Sequence, residues 1–180
     1  MIMDRRSVIV SSAALGSLVL SGCASTPRTT PNDRHCYWAR TRSRSKPTCT
    51  AGPIPDLAAD ERAKRFEPVP GRLVIYVVRH RWGDTVNMVR VGMMGGALVS
   101  TVPASMVRLV VPPGGHRLVF EWAKGRGSLD VRGEAGQVLF VELVGSLWFW
   151  NEYYRFETGE SSLRDRALKC RLVADVDGKG

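Results

Sequence analysis

Arg117-Leu118-Val119-Phe120-Glu121-Trp122 is the stretch that decides the fold. In an extended chain successive side chains point to opposite sides, so Leu118, Phe120 and Trp122 share one face while Arg117, Val119 and Glu121 share the other. Upstream, Pro112-Pro113-Gly114-Gly115 reads as a turn, because glycine supplies positive φ and proline cannot continue an interior ladder. Met94-Gly95-Gly96 reads the same way. Between such clusters β-branched and aromatic residues dominate, and the clusters recur every eight to twelve residues or so. The expected strands are 72–79, 87–91, 97–101, 105–111, 116–123, 128–132, 137–144, 147–156 and 167–174. No helical period competes with them. The fold expected is all-β, an antiparallel β-sandwich of about 8–9 short strands.

One short helix precedes the strands. Asp56 is placed to cap it after Pro55, acidic residues fill its first turns, basic ones its last, and Pro68 and Pro70 end it beyond Phe66. Upstream again, residues 24–55 are rich in Thr, Ser, Pro and Arg and poor in aliphatics, the composition of a tether mostly disordered apart from a loop between its cysteines, with Tyr37-Trp38 the exception that rests on that loop or on the domain. The chain therefore divides into a signal peptide at 1–22, a lipidated N-terminus with a basic, cysteine-containing tether at 23–55, and a helix-plus-sandwich domain at 56–176.

The signal peptide rests on Leu20-Ser21-Gly22-Cys23, a lipobox at the end of an apolar run from Val8, after the basic Arg5-Arg6. Small residues must precede the cysteine to enter the signal peptidase, and the Cys23 thiol must be present to receive the diacylglycerol. The run is too short and too rich in Ser, Gly and Ala to remain as a spanning helix. Bacterial lipoproteins carry several acyl chains, each buried methylene adding about 0.8 kcal/mol, so Cys23 would anchor the protein permanently. Ala24, where an Asp would favour inner-membrane retention, points to the outer membrane and a periplasm-facing domain. Asp4-Arg5-Arg6-Ser7-Val8-Ile9 weakly resembles a twin-arginine signal, with the Sec route the default.

Charge is uneven. The net +9 comes largely from the tether, where Arg28, Arg34, Arg40, Arg42, Arg44 and Lys46 face Asp33 alone. From residue 53 onward 18 basic residues face 15 acidic ones. Arg40, Arg42, Arg44 and Lys46 are thus candidate contacts to anionic lipid or cell-wall polymer, against the plainer reading of a solvated linker. An exported protein does not meet nucleic acid, which removes that partner class.

Four cysteines are present, and Cys23 is taken by lipid. In an oxidising compartment Cys36 and Cys49 would close a short loop, leaving Cys170 free and buried on its strand. The alternative pairs Cys170 with one tether cysteine and staples the tether to the domain. A zinc site from His35, Cys36, Cys49 and Cys170 lacks a close cysteine pair, and no metal or other cofactor is expected.

Six segments together resemble a known family: Leu20-Ser21-Gly22-Cys23; Ala63-Lys64-Arg65-Phe66; Ile75-Tyr76-Val77-Val78-Arg79; Pro113-Gly114-Gly115-His116; Glu134-Ala135-Gly136-Gln137-Val138-Leu139-Phe140-Val141; and Lys169-Cys170-Arg171-Leu172. In order and spacing they are similar to the bacterial lipoprotein family called domain of unknown function 2846, over residues 57–174. The chain departs from that pattern at Met94-Gly95, where an Asp-Gly hairpin is usual, at Val99, which replaces a glycine, and in its cysteine-bearing tether. The resemblance implies a small periplasmic β-sandwich on a lipid anchor, and no activity.

Chemistry-bearing constellations are sparse. His116 follows the Gly114-Gly115 turn with no Ser, Cys or second His at a suggestive spacing, so a ring bonded to its own turn is expected, and a general base is the alternative. His80 stands between Arg79 and Arg81. The densest aromatic stretch, 147–156, places Trp148, Trp150 and Tyr154 on one strand face, either as a platform for sugar rings or a partner, or as core. Glu121, Glu134, Glu142 and Glu152 lie on different elements, and nothing brings two together. The function expected is a non-catalytic binding or structural module of the envelope, its partner membrane lipid with cell-wall polymer or another envelope protein. The alternative is a cryptic hydrolase built on His116 and a nearby carboxylate.

Overall fold

The computed structural model describes residues 36–40, 45–80, 87–148, 151–159 and 161–178. Among these, two strands, β1 (Cys36–Arg40) and β2 (Ser45–Cys49), form a hairpin. Helix α1 (Leu57–Ala63) follows, then β3 (Leu73–Arg79), β4 (Val89–Met93), β5 (Val99–Thr101), β6 (Ser105–Val111), β7 (Gly114–Trp122) and β8 (Gly125–Gly133). The chain continues as β9 (Val138–Trp148), β10 (Asn151–Thr158), helix α2 (Leu163–Leu168) and β11 (Arg171–Asp177). Besides the hairpin there is a five-stranded sheet in the order β10-β9-β3-β6-β11 and a four-stranded sheet in the order β5-β4-β7-β8. The fold is mostly β, with the sheets packed as a sandwich.

The four-stranded sheet is antiparallel throughout. The five-stranded sheet is mixed, because β9 joins β3 and β11 joins β6 in parallel. Parallel neighbours need a long connection, and both have one. Between β3 and β9 the chain visits the other sheet, and between β6 and β11 it visits both sheets and α2. Turn signals report only local reversals, so this pairing was not legible in them.

Burial explains the layers. Leu73, Ile75 and Val77 of β3 and Val107 and Leu109 of β6 face Val89, Val91, Leu118 and Phe120 of the smaller sheet, forming the core between the sheets. The opposite face of the larger sheet presents Val74, Tyr76, Val78, Met106 and Leu172, covered by Ala63, Phe66 and Ala167. The two short helices thus roof one sheet. Asp56 caps α1 as expected, its Oδ1 accepting from Ala59 N at 2.7 Å. Just beyond the helix, Phe66 takes a φ of 53°, a conformation unfavourable for a bulky residue. Its ring is held there edge-on to Tyr76 at 4.9 Å and Phe140 at 5.1 Å.

Two expected strands need correction: the one at 147–156 is divided between β9, which ends at Trp148, and β10, which begins at Asn151. The strand expected at 167–174 is divided: residues 163–168 form α2, and the strand runs from Arg171 to Asp177. Leu163 and Ala167, four residues apart, are both buried on one side of the helix, a spacing a strand reading overlooks. The described part of the tether is a paired hairpin that contributes to the core through Tyr37, which is buried with its hydroxyl donating to Pro103 O or Ala104 O. The folded unit therefore reaches back at least to Cys36.

Candidate functional site

The hairpin carries the first group of expected residues. Cys36 and Cys49 lie directly opposite each other in the β1–β2 register and are joined by a disulfide. Cys170 is free and buried at the junction of α2 and β11. This is the pairing expected from proximity, and it removes the alternative in which Cys170 staples the tether. It also takes both tether thiols out of any zinc site. Burial pushes the Cys170 thiol up to about 12, with Glu142 and Asp60 adding to that and Lys64 opposing it. A thiol so far above neutrality is a packing group, since the thiolate is the nucleophile. Arg40 and Lys46 lie on the paired strands, near the end that residues 41–44 join. Arg42, Arg44, Cys23 and His35 lie outside the described residues.

His116 Nε2 lies 2.7 Å from Pro112 O, so the ring donates to the carbonyl of its own turn. That is the bond expected of a turn histidine. The carboxylates are dispersed. Glu121 pairs with Arg90 at 2.6 Å on the outside of the smaller sheet, and fully buried Glu142 pairs with Arg166 beneath α2. Asp60 is also buried: one oxygen accepts from Leu172 N at 2.7 Å and the other from Lys64 Nζ at 2.8 Å, tying α1 to β11. Among the described residues no group of three or more His, Cys, Asp or Glu side chains converges to hold a metal.

The aromatic stretch is not one platform. Tyr154 is core, with its ring 4.9 Å from Trp122 and Arg79 lying over it at 5.5 Å. The single strand that would put Tyr154 on one face with Trp148 is in fact two, and the register that sets Trp148 opposite Asn151 puts Tyr154 on the other face, turned toward the smaller sheet. Trp148 ends β9, its side chain outside what the structure describes, and Trp150 lies outside the described residues altogether. Exposed Tyr153 points the other way, beside Arg155.

One surface the sequence reading passed over is the outer face of the smaller sheet. Register places Arg90, Glu121 and Arg126 in one row across β4, β7 and β8, and Gly92, Val119 and Ser128 in the next. Arg117 and Asp130 form the third row, joined by two hydrogen bonds at 2.7 and 3.0 Å. Arg117 holds the Asp130 carboxyl below its ordinary range, chiefly through those bonds. The middle row is small, so the face is hollowed between two rows of charge. The hollow, about 550 Å³, is closed at one end by Met94 and Leu98. Leu98 rests on Gly92, where a Cβ would stand 2.5 Å from Ala97 O and 2.9 Å from Leu98 Cδ2. The signal lay in Gly125-Arg126-Gly127-Ser128-Leu129-Asp130-Val131-Arg132, where charged or polar residues alternate with glycines and aliphatics.

Compared with known proteins, the chain matches no family model, no curated protein and no solved structure.

Proposed function

We propose that this chain is a lipid-anchored lipoprotein of the bacterial envelope, of the kind its motifs resemble, which acts as a non-catalytic binding module facing the periplasm from the outer membrane. The observation that carries the binding reading is the contrast in side-chain commitment. Cys170, Glu142, Asp60 and the His116 ring are all engaged in the fold, whereas the outer face of the smaller sheet offers a hollow between charged rows. The lipobox supports the anchor, and an oxidised Cys36–Cys49 pair suits an exported protein. Among the described residues no helix is long and apolar enough to cross a membrane. In this reading Cys23 fixes the chain to lipid, and Arg40, Arg42, Arg44 and Lys46 lean toward anionic headgroups or cell-wall polymer.

Cell fractionation tests the anchor. Cys23→Ser moves the protein from the membrane to the soluble fraction, and unchanged membrane association would overturn the lipid assignment. Hydrolysis of an envelope polymer by the wild type, lost in His116→Ala, would overturn the binding-module reading in favour of a hydrolase.

A further inference from the structure

Among the described residues the smaller sheet ends in a strand that is long, regular and hydrogen-bonded on one side only, with β10 of the larger sheet packed near it. β8 pairs with β7 over nine residues without a register shift, from Gly125 opposite Trp122 to Gly133 opposite Gly114, and lies at the end of the strand order. An edge of this kind presents a row of backbone donors and acceptors, and proteins usually blunt it with proline, a bulge or charge. β8 has neither proline nor bulge. Its protection is charge, and the charge is lopsided.

On the outer face, Asp130 is taken by Arg117, and Glu121, although opposite Arg126 in register, pairs with Arg90. Arg126 and Arg132 are exposed and make no hydrogen bond or ion pair among the described residues. On the inner face, the rings of Phe120 and Trp122 reach across Gly127 and Gly125, where a Cβ would stand 2.4 and 2.8 Å from them. The rings seal that part of the core. Leu129 and Val131, further along, pack on the core but stay partly uncovered. Full-length antiparallel pairing of two copies of β8 would set Arg126 against Arg132 twice, and like charges directly opposite repel. The edge is thus guarded against its own copy while favouring the opposite charge.

From this edge we propose that β8 takes up an extended acidic segment of a partner protein as an added strand of the smaller sheet. The added strand alternates. Acidic side chains meet Arg126 and Arg132 on the outer face, and apolar side chains cover Leu129 and Val131 on the inner face. This deepens the binding-module reading and rests on it.

The test is fluorescence anisotropy with the full chain in detergent and three labelled nine-residue peptides. One alternates Glu and Val, one alternates Lys and Val, and one is the Glu–Val peptide with a central proline. The Glu–Val peptide binds saturably, about tenfold tighter than the Lys–Val peptide, and weakens in about 0.5 M salt. The proline peptide binds about tenfold more weakly, because it cannot complete the ladder. Arg126→Glu with Arg132→Glu inverts the preference between the Glu and Lys peptides. If that double variant unfolds by circular dichroism, Arg126→Gln with Arg132→Gln takes its place and abolishes the preference. Absent binding, equal binding of the Glu–Val and Lys–Val peptides, or equal binding of the proline peptide would overturn the proposal. Dimerisation of the wild type that is lost in the double variant would instead assign the edge to a second copy, and also overturns it. An envelope protein captured equally by wild type and double variant overturns the β8 assignment alone and leaves the binding module standing.

Discussion

Along β3 every residue from Leu73 to Arg79 is buried, whereas along β7 burial alternates from Gly114 to Trp122. The difference follows from what lies on each face. The larger sheet has the smaller sheet on one side and α1 and α2 on the other, so its central strand reads as a continuous apolar run. The smaller sheet has a core on one side only, so its strands alternate. Even Arg79, at the end of β3, is inside, donating to Thr101 O at 2.7 Å and to Asn87 O at 2.8 Å. The two sheets of one sandwich thus differ in cover: the larger is packed on both faces, the smaller on one.

The sharpest way to break this comparison is to remove the same kind of mass from each sheet. Leu109→Ala, at a site 1% exposed in the larger sheet, is expected to cost about 3–4 kcal/mol in urea unfolding. A loss under about 1 kcal/mol would show that the larger sheet is not the stable half. Opening the hairpin ranks next. Cys36→Ala with Cys49→Ala frees a loop spanning a sequence separation of 13 and is expected to cost about 3 kcal/mol, with Tyr37 becoming accessible to solvent quenchers. Unchanged stability would mean that the sandwich does not depend on its hairpin.

Alkaline pH probes the covered side selectively. Burial raises the Cys170 thiol from 9.0 to about 12, and burial likewise raises the phenols of Tyr76 and Tyr37 above 10.0. All three stay neutral in the folded chain at a pH where the unfolded chain releases the proton. Their contribution is fully present below about pH 9 and drains away as the pH climbs through the folded values. Unfolding midpoints should hold between about pH 7 and 8.5 and fall above it, and Cys170→Ala should flatten that fall. A midpoint as high at about pH 11 as at pH 7 would contradict the burial of these groups. The smallest effect belongs to the open face: Ser128→Ala, in the hollow, should change stability by no more than about 0.5 kcal/mol.

Much of this was legible because it is local. The Asp56 cap needs only residues 56–59, the His116 bond only 112–116, and the Cys36–Cys49 closure only one hairpin. What escaped needed neighbours. Tyr37 stands out in a polar tether, but its seat on the domain is not legible there, because the carbonyls of Pro103 and Ala104 that receive its hydroxyl lie 66 and 67 residues away. The end of helix α2 reads as strand because the β signal of Leu172-Val173 extends back to Ala167, and nothing local marks the helix that begins at Leu163. Tyr154 does not share a face with Trp148, because the run 147–156 turns back on itself between β9 and β10. The hollow was missed because its three rows are brought together by the register of β4, β7 and β8, while in sequence they are spread from Arg90 to Asp130.

Composition and period by themselves determined that the chain is mostly β and where most of its turns fall, because backbone preference and side-chain alternation act over a few residues. Tertiary structure alone decided that β9 and β11 enter in parallel, that the larger sheet is roofed by helices, and that, among the described residues, the outer face of the smaller sheet is uncovered and Arg126 and Arg132 stand unpaired on its end strand. Those outcomes depend on which distant surfaces meet, and burial rewards the meeting of surfaces whatever their separation along the chain.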